Sequence, residues 1–251
     1  MLYYNRKEGL KNRLSLLIKI NKMEIAPREK EKKHLSLTPV SEQVGLQVGV
    51  KADGKKYSVR DDRSRYFFPD EWNKFFNALK EKNKSIFDTA INTGGRIDEL
   101  LHIKSQDYDW EKNTLTLRVT KKKSAKKERI GKPRTFKISS QYARRMRAYI
   151  KENNIKEDEY IYKTSQQSVY QMLRRTLKKI GIKDWYNFSL HNIRKTTGNW
   201  LKALGVDSGE ICYRLGHDLN TFIKHYGSAN IFDRKDKLAM IQILGDVYDL
   251  K

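Results

Sequence analysis

The chain has 251 residues, of which 38% are hydrophobic, and a formal net charge of +23 at pH 7. This length and apolar content exclude a wholly disordered chain and suffice for one large domain or two modest ones. Because neutralised phosphates release the counterions condensed on them, so large a positive charge favours a polyanionic partner.

Residues 1–65 predict one helix followed by a basic arm or linker. Apolar residues recur at helical spacing through residues 1–23, between arginines and lysines. From residue 26 onward this periodicity fades, and prolines and glycines interrupt the chain. Short strands are indicated near residues 44–50 and 57–59, within a segment that is more typical of an arm than of a packed domain.

Residues 66–251 predict a mainly α body with a small antiparallel β-sheet, an α+β fold. Helices are indicated from Pro69, at 84–93 and at 97–103, and a turn at 107–110 leads into a strand hairpin. The hairpin strands are expected at 114–120 and 134–138. The remaining segments predict helices at 139–152, 165–180, 189–204, 208–215, 221–226 and 233–243.

Arg96 directly follows the glycine pair Gly94-Gly95 at the start of a predicted helix. A guanidinium there can bind two phosphate oxygens, and the helix N-terminus adds backbone donors. Glu99 lies three residues later and can pair with Arg96 and fix its direction. The pattern is equally typical of a phosphate ligand and of a salt bridge within one helix.

His191 and Arg194 are three residues apart, so they share one face of a predicted helix. An imidazole beside a guanidinium suits proton transfer next to a stabilised oxyanion. By itself this pair is also common on the surfaces of helices.

His217 follows a Leu-Gly bend, and Tyr226 follows nine residues later, directly after Lys224 and His225. A free phenol has a pKa of about 10, so nucleophilic attack at neutral pH requires a nearby base and cationic surroundings. Most of the fourteen tyrosines must be structural, and Tyr226 is a candidate because of its neighbours.

Residues 118–137, between and beside the hairpin strands, hold ten lysines and arginines against one glutamate, Glu128. Such a run is usually a solvated surface. On a hairpin tip it can instead reach into a DNA groove, and one lysine can act as a general acid toward a leaving oxygen.

Taken in order, these motifs resemble those of the tyrosine recombinase (phage integrase) family. The resemblance rests on Thr93-Gly94-Gly95-Arg96-Ile97-Asp98-Glu99-Leu100-Leu101, the strand–basic turn–strand, His191-Asn192-Ile193-Arg194, Leu215-Gly216-His217 and Tyr226. It covers about residues 66–240. It implies the tyrosine-recombinase catalytic-domain fold and a site-specific DNA recombinase or integrase, such as those of archaeal, viral or plasmid elements.

The resemblance also implies a role for each candidate residue. Tyr226 would attack the scissile phosphate, giving a 3′-phosphotyrosyl link and a free 5′-hydroxyl, and His191 would accept its proton. Arg96 and Arg194 would clamp the non-bridging oxygens, and His217 would donate a hydrogen bond to one of them.

A lysine of the hairpin turn would protonate the departing 5′-oxygen. The turn is longer and richer in lysine than is usual in the family. Lys122 is the preferred residue because it continues the strand face of Thr116, Arg118 and Thr120. Lys121 and Lys123 are the alternatives.

The resemblance implies double-stranded DNA as partner and a homo-oligomer, a tetramer on DNA. No metal or cofactor is expected, because the covalent link conserves the phosphodiester energy. Residues 1–65 would be a reduced or divergent DNA clamp, and the tail after residue 232 would pack on its own domain or on a neighbouring subunit. We expect a cytoplasmic, nucleoid-associated protein of prokaryotic or viral origin without a membrane span, since the apolar runs are too short.

Three other functions remain compatible with parts of the sequence. A type IB topoisomerase-like enzyme would share the nicking and closing chemistry without exchanging DNA partners. A catalytically silent DNA-binding relic would need the charge but not the ordered set of polar residues. A basic ribosomal-type protein would explain the charge and none of the spacings.

Overall fold

The computed structural model describes residues 37–39, 47–50, 56–59, 65–118, 133–220, 222 and 231–247. The chain divides into two compact units, Met1–Asp61 and Asp62–Lys251. The helix predicted at 1–23 and the candidate residues Lys122 and Tyr226 lie outside the described residues.

The first unit contains a three-stranded antiparallel sheet in the order β1-β2-β3. Its strands are β1 Leu37–Pro39, β2 Gln47–Val50 and β3 Lys56–Val59. The sequence indicated β2 and β3 but not β1, because three residues that end in proline carry no strand periodicity. The segment expected to be an arm therefore contains regular structure.

The second unit is mainly helical, as predicted, and carries a small antiparallel sheet. Its helices are α1 Pro69–Ala78, α2 Glu81–Thr93, α3 Ile97–Leu101, α4 Ser140–Glu152, α5 Gln166–Lys179, α6 Leu190–Ala203, α7 Ser208–Leu215 and α8 Arg234–Leu244. Its strands are β4 Tyr108–Asp109, β5 Thr114–Leu117 and β6 Arg134–Lys137.

The sheet has three strands in the order β4-β5-β6 rather than the two of the expected hairpin. Tyr108 of β4 pairs with Leu115, which pairs on its other side with Phe136 of β6. The segment 107–110 was predicted to be a turn, and this prediction was wrong for β4. A two-residue strand is too short to show an alternating pattern, so its pairing depends on the tertiary structure.

An aromatic core anchors the beginning of the second unit. Phe67 packs edge-on against Trp72 with ring centroids 5.2 Å apart and contacts Phe188 at 4.5 Å. The indole N–H of the buried Trp200 on α6 donates to the carbonyl oxygen of Phe67 at 3.0 Å. This core fixes α6, which carries His191 and Arg194, against the segment where the unit begins.

The C-terminal helix α8 packs on its own unit. Met240 and Leu244 are buried, and the ring of Phe232 contacts the rings of Tyr66 and Phe68 at 5.9 and 5.6 Å. The Asp233 side chain accepts a hydrogen bond from the backbone N–H of residue 236 at 2.8 Å and so caps the helix. The structure thus shows the intramolecular placement of this part of the tail.

The Gly94-Gly95 turn brings α2, α3 and α7 into close contact. Gly94 ends α2 in the left-handed conformation, with φ of 65°. A Cβ atom there would lie 2.5 Å from Cδ2 of Leu215, and one on Gly95 would lie 2.4 Å from Cδ2 of Leu100. Both leucines are buried, so the turn depends on the absence of side chains at the two glycines.

We therefore expect Gly94→Ala to destabilise the protein by about 2–4 kcal/mol, because left-handed strain adds to overpacking. Gly181→Ala is the matched control. Gly181 also has a positive φ, of 78°, but a Cβ atom added to it would meet no other atom within 4 Å. This variant should cost only about 1–2 kcal/mol. Urea unfolding measures both, and equal losses would show that the contact with Leu215 is unimportant.

Candidate active site

Arg96 caps the N-terminus of α3 and points its side chain along the protein surface. Its backbone N–H donates to Oε2 of Glu99 at 2.9 Å, and its Nη1 donates to Oε1 at 3.1 Å. Its Nη2 reaches the carbonyl oxygen of Gly216 at 3.4 Å. Glu99 therefore orients Arg96, as the spacing of three predicted. Of the Arg96 side chain, 39% remains exposed.

Arg194 is buried and joins the C-terminal ends of two helices. Its Nη1 donates to the carbonyl oxygen of Gly94 at 2.8 Å, and its Nη2 donates to that of Leu215. The same Nη2 lies 3.1 Å from Nε2 of His217. The structure therefore brings together two predicted site residues that are separated by 23 positions in the sequence.

His217 is positioned by the end of α7. Gly216 takes the left-handed conformation, with φ of 60°, and ends the helix there. The backbone N–H of His217 then donates to the carbonyl oxygen of Cys212 at 3.0 Å. Cys212 is itself buried within α7.

Arg96, His191 and Arg194 line one open cleft with a volume of ≈ 640 Å³. The exposed His191 is the second residue of α6. The cap of this helix fixes its direction, because the backbone N–H of Ser189 donates to Oδ1 of Asn192 at 2.7 Å. The cleft is also lined by Gln166, Gln167 and Tyr170 of α5, which the sequence patterns did not single out.

Arg134 is a second residue that the sequence patterns did not reveal. Its Nη1 and Nη2 donate to the two carboxylate oxygens of Glu99 at 3.0 and 2.7 Å. The side chains of both residues are nearly inaccessible, at 7% and 2% exposure. Arg134 lies within the basic run, where it resembles a solvated charge. Its position two residues before the apolar Phe136 was the available signal, because alternate residues of a strand face the same side.

Three successive carbonyl groups at the end of α7 each accept a hydrogen bond from a different arginine. The carbonyl end of a helix is the negative end of its dipole, so it attracts cations. The pairs are Nε of Arg134 with the oxygen of Arg214, Nη2 of Arg194 with that of Leu215, and Nη2 of Arg96 with that of Gly216.

Burial by itself would raise the pKa of Glu99, but its surroundings reverse that effect. The hydrogen bonds and charge of Arg134, followed by those of Arg96, hold the pKa of this carboxyl below its ordinary value of 4.5. Glu99 is therefore ionised at neutral pH. The carboxylate of Glu99 is thus grouped with the guanidiniums of Arg96 and Arg134, and this group has an excess of positive charge.

Metal-ligand geometry does not occur in the described part of the chain, where no three His, Cys, Asp or Glu side chains are placed to hold an ion. No helix among these residues has the length and apolar character that crossing a bilayer requires. Two arginines and two histidines converge instead, on helix ends beside an open cleft. These features define an α+β domain with a cleft lined by basic side chains.

The comparison with known families identifies this domain. The sequence profile of the phage integrase family matches residues 65–231, a range that includes every candidate site residue. The chain belongs to the phage integrase family.

Individual relatives agree with this assignment. The tyrosine recombinase XerA of Saccharolobus solfataricus is 29% identical over 150 residues, which are 59% of this chain and 47% of that protein. A crystal structure of XerA recombinase superimposes with a TM-score of 0.55 at 19% identity, covering 71% of this chain and 64% of that one. The chain thus spans about half the length of its curated relative.

A second solved structure is that of the Tn1549 transposon integrase in complex with a circular intermediate DNA. It superimposes with a TM-score of 0.53 at 16% identity and covers 65% of this chain and 61% of that one. At these identities the structural likenesses show a shared fold, and they confirm the predicted tyrosine-recombinase catalytic-domain fold.

The lowered pKa of Glu99 predicts a pH dependence of stability. A folded-state pKa below the unfolded one means that the unfolded protein binds more protons as the pH falls, so the stabilisation by the carboxylate is lost in acid. It is present above pH 4.5, the ordinary value, and disappears as the pH falls through the lower folded value.

We therefore expect the difference in unfolding free energy between the wild type and Glu99→Gln to be largest at neutral pH and to narrow below about pH 4.5. Urea unfolding of both proteins between about pH 3 and pH 7 measures this difference. A difference that does not change with pH would show that Glu99 is not a charged partner of the two arginines.

Proposed function

We propose that the protein is a site-specific DNA recombinase or integrase that cleaves and rejoins DNA through a 3′-phosphotyrosyl intermediate. The observation that carries this proposal is that Arg96, Arg194 and His191 line one cleft, with His217 3.1 Å from Arg194. Membership of the phage integrase family supports it, as do the DNA complexes of the Tn1549 integrase and of XerH recombinase.

The two arginines suit the charge that develops during phosphoryl transfer. A phosphate under attack carries negative charge on its non-bridging oxygens, and donors fixed before the reaction stabilise that charge without reorganisation. Arg194 is fixed by the carbonyl oxygens of Gly94 and Leu215, and Arg96 by Glu99. His217 would add a donor to one of these oxygens.

The remaining steps transfer protons at the bridging oxygens. The phenol oxygen of Tyr226 would form a bond to phosphorus while its proton passes to His191, which the cleft exposes. The bond from phosphorus to the 5′-oxygen would break, and the ammonium of Lys122 would give that oxygen its proton. Attack by a 5′-hydroxyl on the phosphotyrosine reverses the sequence, so neither ATP nor a metal is consumed.

Double-stranded DNA is the proposed partner, and the net charge of +23 supports it. The basic segment 118–137 and the first unit, Met1–Asp61, would contact DNA beyond the cleft, the latter as a reduced or divergent clamp. Strand exchange requires more than one active site, so we propose a homotetramer on DNA. Such a protein would act in the cytoplasm of a prokaryote, on nucleoid or mobile-element DNA.

We expect Tyr226→Phe to abolish covalent DNA adduct and to leave duplex binding unchanged, because the variant lacks only the nucleophilic oxygen. On a nicked suicide duplex, the short fragment that carries the free 5′-hydroxyl diffuses away after cleavage. The covalent adduct therefore accumulates and is detected on a denaturing gel. Tyr213→Phe is the control, since Tyr213 is 55% exposed and should form adduct normally. Adduct formation by Tyr226→Phe would exclude Tyr226 as the nucleophile. If the wild type forms no adduct, the proposed function is excluded.

The leaving-group acid can be identified with a substrate that does not need it. We expect Lys122→Ala to slow cleavage by about 100-fold or more, the usual contribution of general acid catalysis. A sulfur in place of the scissile 5′-oxygen leaves as a thiolate without protonation, so it should restore the rate.

Lys121→Ala and Lys123→Ala are the comparisons for this experiment. Whichever lysine variant shows both the slow cleavage of the oxygen substrate and the recovery with sulfur is the general acid. Recovery in the Lys121 or Lys123 variant, but not in the Lys122 variant, would replace our assignment.

A further inference from the structure

We propose that Arg134 is a positioning residue that keeps the charge of Arg96 available to a phosphate. It does so by forming the main ion pair with the Glu99 carboxylate from the protein interior. The inference rests on the proposed function insofar as Arg96 is taken to bind a phosphate. Arg134 does not itself line the described part of the cleft.

The geometry gives Glu99 two arginine partners of unequal strength. Arg134 forms a fork to both carboxylate oxygens at 3.0 and 2.7 Å, whereas the guanidinium of Arg96 contacts Oε1 alone at 3.1 Å. The two-bond fork is the stronger arrangement of a guanidinium and a carboxylate. Glu99 is therefore satisfied mainly by Arg134, and it orients Arg96 through one side-chain bond.

The charges lead to the same conclusion. One carboxylate beside two guanidiniums leaves one positive charge uncompensated, and Arg96 is the partner with an exposed side chain, at 39%. Arg134 is almost inaccessible, at 7%. The uncompensated charge is thus presented at the cleft by Arg96 rather than by Arg134.

Without Arg134, Glu99 would compete with the ligand for Arg96. A guanidinium binds a carboxylate and a phosphate through the same fork of N–H groups. The buried carboxylate would have Arg96 as its remaining cation, so it would draw that side chain into a two-oxygen pair and neutralise it. The site would then keep its arginine and lose most of its attraction for a phosphate.

Arg134 also supports the turn that precedes His217. Its Nε donates to the carbonyl oxygen of Arg214 at 3.1 Å, and a Cβ atom on Gly216 would lie 2.9 Å from its Nη1. A purely structural role would follow from these contacts alone. The two roles differ in what a second substitution at Glu99 should do.

The positioning role predicts rescue by removal of the competing charge. In Arg134→Gln, cleavage of the nicked suicide duplex at saturating DNA should fall by about 100-fold, the lower end of the cost of losing one preorganised donor. In Arg134→Gln/Glu99→Gln, the neutral amide no longer draws Arg96 away. The rate should then return to within about threefold of Glu99→Gln alone, a coupling that a double-mutant cycle measures.

The chain provides a matched control in Arg145 and Asp88, a second arginine–carboxylate fork with bonds of 2.7 and 3.0 Å. Neither residue lines the cleft. Arg145→Gln and Arg145→Gln/Asp88→Asn should cleave within about twofold of the wild type, whatever they do to stability in urea unfolding.

If Arg134→Gln does not fold, Arg134→Lys replaces it. It keeps the charge but not the fork, so it should slow cleavage less than the loss expected of Arg134→Gln. Adding Glu99→Gln to it should again bring the rate to about that of Glu99→Gln alone.

A readout that does not depend on cleavage separates this inference from the proposed function. Inorganic phosphate is titrated while the side-chain Nε–H signal of Arg96 is followed by NMR. Weaker phosphate binding in Arg134→Gln, recovered in the double variant, supports the inference even if the wild type forms no adduct.

Two results would overturn it. One is phosphate affinity that is equal in the wild type and Arg134→Gln. The other is a slow Arg134→Gln enzyme whose rate the second substitution at Glu99 does not restore, while the wild type still forms adduct. In that case the proposed function stands, and Arg134 is structural only.

Discussion

The arrangement of the site depends on the buried ion pair of Glu99 and Arg134. Taking a carboxylate out of water is costly, and leaving it buried without a partner costs about 3–5 kcal/mol. Glu99 offsets that cost by accepting four hydrogen bonds, two from Arg134 and two from Arg96. Because Arg134 also binds the end of α7, this one pair ties the turn that carries Arg96 to the turn that carries His217.

Arginines in this domain stabilise helix ends as well as offering charge to a ligand. Arg194 binds the last carbonyls of both α2 and α7, through Gly94 and Leu215. These carbonyls have no partner within their own helices and favour cations. A guanidinium fixed in this way is already oriented before a phosphate arrives, which is the condition under which electrostatic stabilisation is most effective. The hydrogen bonds by which Arg194 holds the two helix ends together therefore also orient its guanidinium before a phosphate binds.

Sequence patterns predicted the parts of this domain that depend on local signals. Helix boundaries followed from caps such as Ser139 and from stops such as Gly216, and the Arg96–Glu99 pair followed from a spacing of three. Strand β4 and the partner of Arg134 did not follow. The first is too short for any periodicity, and the second binds a residue 35 positions away. In a run of ten basic residues, charge conceals that Arg134 faces inward, and its alternation with Phe136 is the sequence signal for it.

A comparison of the arginine–carboxylate forks at Asp88 and at Glu99 shows why the second arginine matters at the cleft. At Asp88, burial outweighs the hydrogen bonds and charge of Arg145, and the pKa of the carboxyl is raised. At Glu99, burial is outweighed by Arg134 together with Arg96, and the pKa is lowered. At Asp88 a single guanidinium therefore does not offset the effect of burial on the pKa of the carboxyl. If Glu99 is to orient Arg96 without neutralising it, Glu99 needs a second cationic partner. Arg134 of β6 is that partner, and it binds Glu99 from the protein interior.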